Sequence, residues 1–263
     1  MDLALRGKVA LVAASSRGLG RAVAEELASE GASLVLCARD ADAIAQCARE
    51  IETKWRVPVL AVPADVAVRG GPERVVAAGI ERFGRVDILV TNSGGPPSGP
   101  FDSLTLEQWD DAARLLLSSA VEFARFVLPG MKERGWGRIL AVTSVAAKQP
   151  VPDLMLSNSL RAAVTGFTRT LANEVARDGI TVNTILPGYT RTERVVELNE
   201  ATARREGIEP AEARARIEAE IPMGRLGEPG DFAAMATFLV SDRASYVTGQ
   251  SIAVDGGWIK ALL

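Results

Sequence analysis

The sequence predicts an α/β fold with a doubly wound parallel sheet, because seven short apolar runs alternate with helical patterns along its 263 residues. The runs are rich in Val, Ile, Leu and Ala, and near-continuous apolar strands are typical of a parallel sheet covered by helices on both faces. No Pro/Gly/Ser-rich linker or change of composition divides the chain. We therefore expect a single domain over residues 1–263.

Each apolar run predicts a strand, and each segment between two runs is long enough for a crossover helix. In chain order the runs are VALVAA at 9, SLVLCA at 33, VLAVPAD at 59, DILVTNS at 87, RILAVTS at 138, TVNTILPG at 181 and SIAVDGG at 251.

The segment after TILPG differs from the other connections. Residues 189–227 are polar, contain two helical patches and are too long for an ordinary connection in a compact domain. Since ligands of doubly wound sheets bind beyond the carboxyl ends of the strands, we expect this segment to be a helical lid over a ligand crevice. A solvated helical hairpin without a ligand role is the alternative.

Composition excludes several classes of function. The net charge of -3, with Arg and Glu interspersed, provides neither a basic face for nucleic acid nor a polybasic membrane patch. The absence of histidine rules out Ser-His-Asp hydrolysis and His-ligated zinc within this chain. No apolar run is long enough for a membrane span, and Cys37 and Cys47 lack metal or disulfide spacing. We expect a cytoplasmic protein with reduced thiols and no metal site.

The stretch LSNSLRAAVTGFTRTLA, residues 156–172, predicts an amphipathic helix. Its apolar stripe consists of Leu156, Leu160, Val164, Phe167 and Leu171. On another face Ser157 and Arg161 are four residues apart, so a hydroxyl and a guanidinium lie one turn from each other.

A glycine turn follows the first predicted strand. Gly18 and Gly20 open a helix, and the N–H groups and partial positive charge of a helix N-terminus suit a pyrophosphate. Glycines also mark turns in proteins that bind nothing, but the position at the first βα turn favours a nucleotide site. The residues assigned to cofactor binding in this turn are Ser15, Ser16, Arg17, Gly18, Leu19 and Gly20.

The second strand ends in CARD, residues 37–40. An acid at this tip binds the ribose 2′-OH of NAD, whereas an arginine nearby accommodates the 2′-phosphate of NADP. Arg39, assisted by Arg17, therefore favours NADP(H) over NAD(H). Two exposed arginines without a ligand are the alternative.

The order of motifs resembles the short-chain dehydrogenase/reductase family over essentially the whole chain, and most closely its 3-oxoacyl-acyl-carrier-protein reductase-like branch. The motifs are AASSRGLG, AD at 64, TNSGG at 91, GRILAVTS at 137, GFTRTLANE at 166, TVNTILPGYTRT at 181 and VTGQSIAVDGG at 247. The resemblance implies a Rossmann-like fold with a seven-stranded sheet, a homotetramer and a small carbonyl or alcohol substrate.

The same resemblance assigns further cofactor contacts. It implies adenine contacts at Asp65 and Val66, support of the central strand and of the adenosine ribose at Asn92 and Gly94, and nicotinamide contacts at Pro187, Gly188 and Thr192.

The catalytic tetrad of Asn, Ser, Tyr and Lys that the family implies is altered in this chain. Ser144 matches the family's serine, but Ser157 stands at the Tyr position, Arg161 at the Lys position and Leu116 at the Asn position. Ala14 replaces the first glycine of the glycine turn.

These replacements change the acid–base chemistry. An aliphatic hydroxyl is far less acidic than a phenol of pKa about 10, and arginine, with a pKa above about 12, cannot act as a base. A fixed Arg161 can still bind ribose hydroxyls and stabilise a developing alkoxide. Tyr189, which follows Pro187 and Gly188, is a candidate for a displaced proton donor. A packing residue at the root of the lid is the alternative.

Two functions are consistent with this pattern. The first is an NADP(H)-dependent oxidoreductase that reduces a carbonyl, such as a 3-oxoacyl thioester, or oxidises a secondary alcohol through Ser144, Ser157 and Arg161. The alternative is a catalytically inactive protein of the same fold that binds a nucleotide or small molecule, or acts as an oligomer subunit.

Overall fold

The computed structural model describes residues 2–262, apart from the side chains at positions 194, 197, 198, 201 and 202. Its parallel strands are β1 (Val9–Ala13), β2 (Ser33–Ala38), β3 (Val59–Pro63), β4 (Ile88–Thr91), β5 (Gly137–Val142), β6 (Ile180–Pro187) and β7 (Ser251–Val254). They form one sheet in the order β3-β2-β1-β4-β5-β6-β7, which confirms the predicted seven-stranded doubly wound arrangement.

Helices connect the strands. They are α1 (Gly18–Ser29), α2 (Ala41–Trp55), α3 (Gly71–Phe83), α4 (Leu106–Ala113), α5 (Ser119–Glu133), α6 (Met155–Val175), α7 (Glu193–Glu206), α8 (Pro210–Glu220) and α9 (Pro229–Leu239). A π-helical segment, Arg114–Ser118, joins α4 to α5.

The sheet is covered on both faces because successive side chains of a strand point to opposite sides. In β1, Ala10 and Val12 face one apolar cluster with α1, α2 and α9, whereas Leu11 and Ala13 face another with α3, α5 and α6. All five residues of β1 are buried. This two-sided burial explains the continuous apolar runs in the sequence.

The strand order reverses beside β1, which pairs with β2 on one side and β4 on the other. In doubly wound sheets this switch point opens a crevice at the carboxyl ends of the strands. The connections that follow β1, β4, β5 and β6 meet at this edge of the sheet.

The predicted helix over residues 156–172 lies within α6. Leu156, Val164 and Leu171 of its stripe are buried, and Leu160 and Phe167 are partly buried. The two helical patches of residues 189–227 form α7 and α8. None of the described helices combines the length and apolar character needed to cross a bilayer. Among the side chains that the structure describes, no three from His, Cys, Asp or Glu cluster as metal ligands would.

Candidate active site

Ser157 and Arg161 are joined by a hydrogen bond on α6. Arg161 Nε donates to Ser157 Oγ at 3.1 Å, and Arg161 Nη1 donates to the carbonyl oxygens of Thr143 at 2.8 Å and Val142 at 3.4 Å. The guanidinium thus ties α6 to the carboxyl end of β5 and fixes the Ser157 hydroxyl at the crevice, where Ser157 is buried.

Ser144 lies two residues after the end of β5 and caps a short 3-10 turn, Val145–Ala147, against which α6 packs. Its Oγ accepts a hydrogen bond from Ala146 N at 3.1 Å. Within the described part of the chain, neither the Ser144 nor the Ser157 hydroxyl donates a hydrogen bond to protein. Each O–H is therefore left to donate to the oxygen of a ligand.

Arg161 holds a positive charge that no carboxylate of the described residues neutralises within 4.0 Å. Burial disfavours the charged form and lowers the pKa of Arg161 to about 10. The guanidinium is still charged at neutral pH. An unneutralised charge in a desolvated site interacts strongly with a negative charge that develops nearby.

Leu116 lies in the π-helical segment between α4 and α5 and is buried. Together with Arg161 and Thr143 it lines a small cavity. An isobutyl side chain cannot hold a water molecule or a backbone group by hydrogen bonding. The third altered position therefore places an apolar side chain in the lining of the cavity that it shares with Arg161.

The glycine turn shows why Gly20 cannot carry a side chain. A Cβ at Gly20 would lie 2.3 Å from the carbonyl oxygen of Ala14. Ala14 itself has φ of 48°, in the left-handed region that favours glycine. Asn92 Nδ2 donates to the same Ala14 oxygen at 3.3 Å, which joins the turn to the end of β4.

The N-terminus of α1 fits the diphosphate of a dinucleotide. Arg17 occupies the N-cap position, and no side chain caps the first turn. The N–H groups of Gly18, Leu19 and Gly20 lack intrahelical acceptors in such a turn and are free to bind phosphate oxygens. A Cβ at Gly94, after β4, would meet nothing within 4 Å, so the space beside Gly94 is open.

Ser15 and Ser16 differ in their placement. Ser15 is completely buried, its Oγ donates to Val12 O at 2.9 Å, and its carbonyl accepts from Cys47 Sγ. These contacts indicate that Ser15 supports the turn, and a cofactor contact from Ser15 stays a prediction. Ser16 is only partly buried, so a direct contact from Ser16 stays a prediction.

The two arginines assigned to a 2′-phosphate, Arg39 and Arg17, differ in whether a carboxylate already pairs with them. Arg39 is exposed and forms no ion pair with a described residue, while Asp40 caps α2 by accepting from Asp42 N and Ala43 N. Arg17 forms a 2.6 Å ion pair with Glu193, the first residue of α7. Arg39 is thus open to an anion at the tip of β2, whereas Arg17 already has a carboxylate partner.

The remaining cofactor residues lie at the expected strand ends, and their contacts stay predictions. Asp65 Oδ1 accepts from Ala67 N after β3, and Val66 is buried.

After β6, the space for a Cβ at Gly188 is blocked by Asp255 Cα at 2.6 Å. Thr192 Cγ2 would lie 3.9 Å from a Cβ at Gly18, so the segment before α7 meets the glycine turn. Pro187, at the end of β6, is partly buried.

Tyr189 packs against Trp258, close to helix α8. Its ring meets that of Trp258 edge to face at 5.7 Å, and Trp258 Nε1 donates to Glu220 of α8 at 3.2 Å. Burial and the negative charge of Glu220 raise the pKa of Tyr189. The phenol is therefore a weaker acid than usual. No hydrogen bond among the described residues links it to Ser144 or Ser157.

Comparison with known proteins shows which family has this arrangement. The family model described as enoyl-(acyl carrier protein) reductase matches residues 13–259. The chain is 34% identical over 253 residues to a 3-oxoacyl-[acyl-carrier-protein] reductase of Vibrio cholerae, covering 96% of this chain and 98% of that protein. The chain belongs to the short-chain dehydrogenase/reductase family. The resemblance of its motifs to the 3-oxoacyl-acyl-carrier-protein reductase-like branch is thereby confirmed.

Other relatives of this short-chain dehydrogenase/reductase are oxidoreductases that use NAD(P). A D-beta-hydroxybutyrate dehydrogenase of Cupriavidus necator is 34% identical, with 97% of this chain and 99% of that protein covered. The crystal structure of L-sorbose reductase from Gluconobacter frateurii, complexed with NADPH and L-sorbose, superimposes with a TM-score of 0.96 at 37% identity, covering 100% of both chains. The chain is therefore an NAD(P)-dependent oxidoreductase by family.

Thr143 is the residue of this site that the sequence did not single out. Its carbonyl oxygen accepts from Arg161, and Thr143 and Arg161 line the same small cavity. Its position immediately before Ser144 is the one signal that could have drawn attention to it.

Proposed function

We propose that this protein reduces a carbonyl compound with NADPH, or oxidises the corresponding secondary alcohol with NADP, through Ser144, Ser157 and Arg161. The observation that carries the proposal is the 3.1 Å hydrogen bond from Arg161 Nε to Ser157 Oγ. It keeps a charged group and a hydroxyl together at the two positions where the family has its lysine and tyrosine.

The glycine turn and the tip of β2 would hold the cofactor. The uncapped N-terminus of α1 binds the diphosphate, and the exposed Arg39, with Arg17, binds the 2′-phosphate. When bound, the nicotinamide supplies or accepts the hydride. This arrangement supports NADP(H) over NAD(H).

Ser144 and Ser157 would orient the substrate oxygen. Both hydroxyls accept one protein hydrogen bond, so both O–H groups can donate to the carbonyl oxygen. As negative charge develops on that oxygen, Arg161 stabilises it through Ser157 and by its uncompensated charge. The proton of the product alcohol then comes from water or from Tyr189.

Small carbonyl or alcohol compounds are the substrate class we propose, with a 3-oxoacyl thioester as one candidate. Residues 189–227 would act as a helical lid over the substrate. The solved relative named above was crystallised with L-sorbose, which is also a small carbonyl compound. We further propose a homotetramer located in the cytoplasm.

Binding and turnover test the proposal separately. Titration with NADPH, NADP, NADH and NAD, followed by nicotinamide fluorescence, reports binding, and a panel of ketones and β-ketoacyl thioesters reports turnover. We expect binding of NADPH and a strong loss of turnover in Arg161→Ala. Failure of all four nucleotides to bind would reject the oxidoreductase function.

A protein that binds the cofactor without turning over substrate is the second candidate, and Leu116 favours it because a polar group has been lost beside Arg161. Binding without turnover on any carbonyl, together with activity gained in the double variant Ser157→Tyr/Arg161→Lys, would support this candidate. Tyr189→Phe tests the displaced phenol, since wild-type turnover in that variant excludes Tyr189 as the proton donor.

A further inference from the structure

The first turn of α6 carries Ser157 and has no side-chain cap at its N-cap residue. Leu154 occupies that position and makes no capping hydrogen bond. Ser157 is the third residue of the helix, so its hydroxyl stays beside Arg161 only while this turn stays helical. The N–H groups at an uncapped helix start lack intrahelical partners, and such ends fray. The position of the Ser157 hydroxyl therefore depends on other contacts that hold this turn.

Asn158, the next residue after Ser157, makes such a contact. Its Oδ1 accepts from Val151 N at 3.2 Å, and its Nδ2 donates to Val151 O at 3.0 Å, so one side-chain amide binds both backbone groups of one residue. The backbone N–H of Asn158 also donates to Leu154 O at 2.8 Å. The residues before α6 are thereby folded back onto its first turn.

The segment that Asn158 binds is a tight turn over residues 151–154. Leu154 N donates to Val151 O at 3.3 Å, and Asp153 has φ of 60°, in the left-handed region. Aspartate tolerates this region better than most residues do, but a left-handed residue other than glycine persists only where the surrounding structure fixes it. The two hydrogen bonds from Asn158 are contacts of that kind.

The same turn meets two other segments beside the crevice. Asp153 O accepts from Gly99 N, in the connection after β4, at 2.7 Å, and Asp153 Oδ2 pairs with Arg205 of α7 at 3.3 Å. Because that ion pair is exposed at both side chains, water and salt screen it and it contributes little. The Asn158 hydrogen bonds are partly buried and join the turn directly to α6.

We infer that Asn158 is a positioning residue, which holds the first turn of α6 so that the Ser157 hydroxyl stays beside Arg161 at the crevice. Asn158 acts through Ser157, since its own amide is occupied by Val151. The inference rests on the role proposed for Ser157.

Asn158→Ala tests this role, because alanine removes both hydrogen bonds to Val151 and is a good helix former. We expect kcat to fall about tenfold, as for the loss of one or two hydrogen bonds, with little change in the KM for NADPH. Asn158→Gln keeps the amide on a longer side chain and should recover part of kcat.

Gln108→Ala is the matched control. Gln108 Oε1 also accepts from the backbone N–H of the residue before a helix, Thr105 N at 2.9 Å, but that helix is α4, which carries none of the proposed catalytic residues. This variant should leave kcat unchanged.

A Ser157→Ala background separates positioning from general stability. In that background Asn158→Ala should cause no further loss of kcat, whereas a purely structural effect would lower kcat in both backgrounds. For an active enzyme, unchanged kcat in Asn158→Ala, or an equal loss in both backgrounds, would overturn the inference.

Hydrogen–deuterium exchange tests the hold on α6 without turnover. In an α-helix the N–H groups of residues 159–161 donate to the carbonyl oxygens of residues 155–157, so they exchange when the first turn opens. We expect these amides to exchange about tenfold faster in Asn158→Ala than in the wild type and in Gln108→Ala. Equal exchange in all three proteins overturns the inference even if the enzyme is active. Faster exchange in a protein that turns over no carbonyl would instead contradict the proposed function alone.

Discussion

Arg161 and Ser157 form a donor–acceptor pair one helical turn apart, with Nε 3.1 Å from Oγ and the guanidinium anchored to Thr143 O at 2.8 Å. The pair places a hydroxyl against a fixed positive charge at the carboxyl end of β5. It retains orientation and electrostatic stabilisation while lacking a group of phenolic acidity.

The charge on Arg161 should limit activity at high pH. Burial lowers its pKa to about 10, so the charged form that stabilises an alkoxide is present at neutral pH and is lost as pH rises through about 10. We expect kcat for carbonyl reduction to be steady between about pH 7 and 9 and then to fall. The measurement is a pH–rate profile of NADPH oxidation.

Arg161→Lys should move that fall to lower pH, because the same burial lowers the pKa of a lysine from its ordinary value of about 10.4. Arg161→Ala should lower kcat by about 100-fold or more, as when one charge-stabilising donor is removed from an active site. Identical pH profiles for the wild type and Arg161→Lys would contradict a catalytic role for this charge.

Arg39 should determine the preference for NADPH. We expect Arg39→Ala to weaken NADPH binding at least tenfold, because a charged hydrogen bond to the 2′-phosphate is lost, and to leave NADH binding unchanged. The control is Arg49→Ala, which removes an exposed arginine of α2. It should change the dissociation constant of neither NADPH nor NADH. Equal losses for NADPH and NADH would show that Arg39 does not contact the 2′-phosphate.

Glu193 should compete with the cofactor for Arg17. The ion pair is exposed at both side chains, 70% for Arg17 and 64% for Glu193, so we expect it to contribute only about 0.2–1 kcal/mol. Glu193→Gln should therefore tighten NADPH binding by up to about fivefold, measured by fluorescence titration at low salt. The gain should vanish in an Arg17→Ala background. Glu212→Gln, which breaks a pair within α8, serves as the control.

Opposite substitutions in the glycine turn should have opposite effects. Gly20→Ala would place a methyl group 2.3 Å from Ala14 O and force α1 away from the turn, so we expect loss of NADPH binding and a lower Tm. Ala14→Gly relieves a left-handed residue at φ 48°, and we expect it to raise the stability by about 1 kcal/mol. Thermal unfolding measures the stability of both variants. A lower stability of Ala14→Gly would contradict the backbone strain inferred at Ala14.

Much of the fold could be predicted because it depends on patterns between neighbours in the sequence. Strands buried on both faces require continuous apolar runs, and the seven runs became the seven strands of one sheet. The 3.6-residue period of α6 likewise placed Ser157 and Arg161 on one side of the helix. The hydrogen bond between them follows from that spacing.

The rest of the site depends on residues that are distant in the sequence. The sequence determined that a hydroxyl and a guanidinium share a face of α6, that glycines open α1 and that an arginine stands at the tip of β2. Only the tertiary structure decided that Thr143 accepts from Arg161, that Glu193 pairs with Arg17 and that Tyr189 packs on Trp258. Local periodicity sets the direction of each side chain along its own element, whereas the partner it meets is set by how the helices, α7 and α8 included, pack around the sheet.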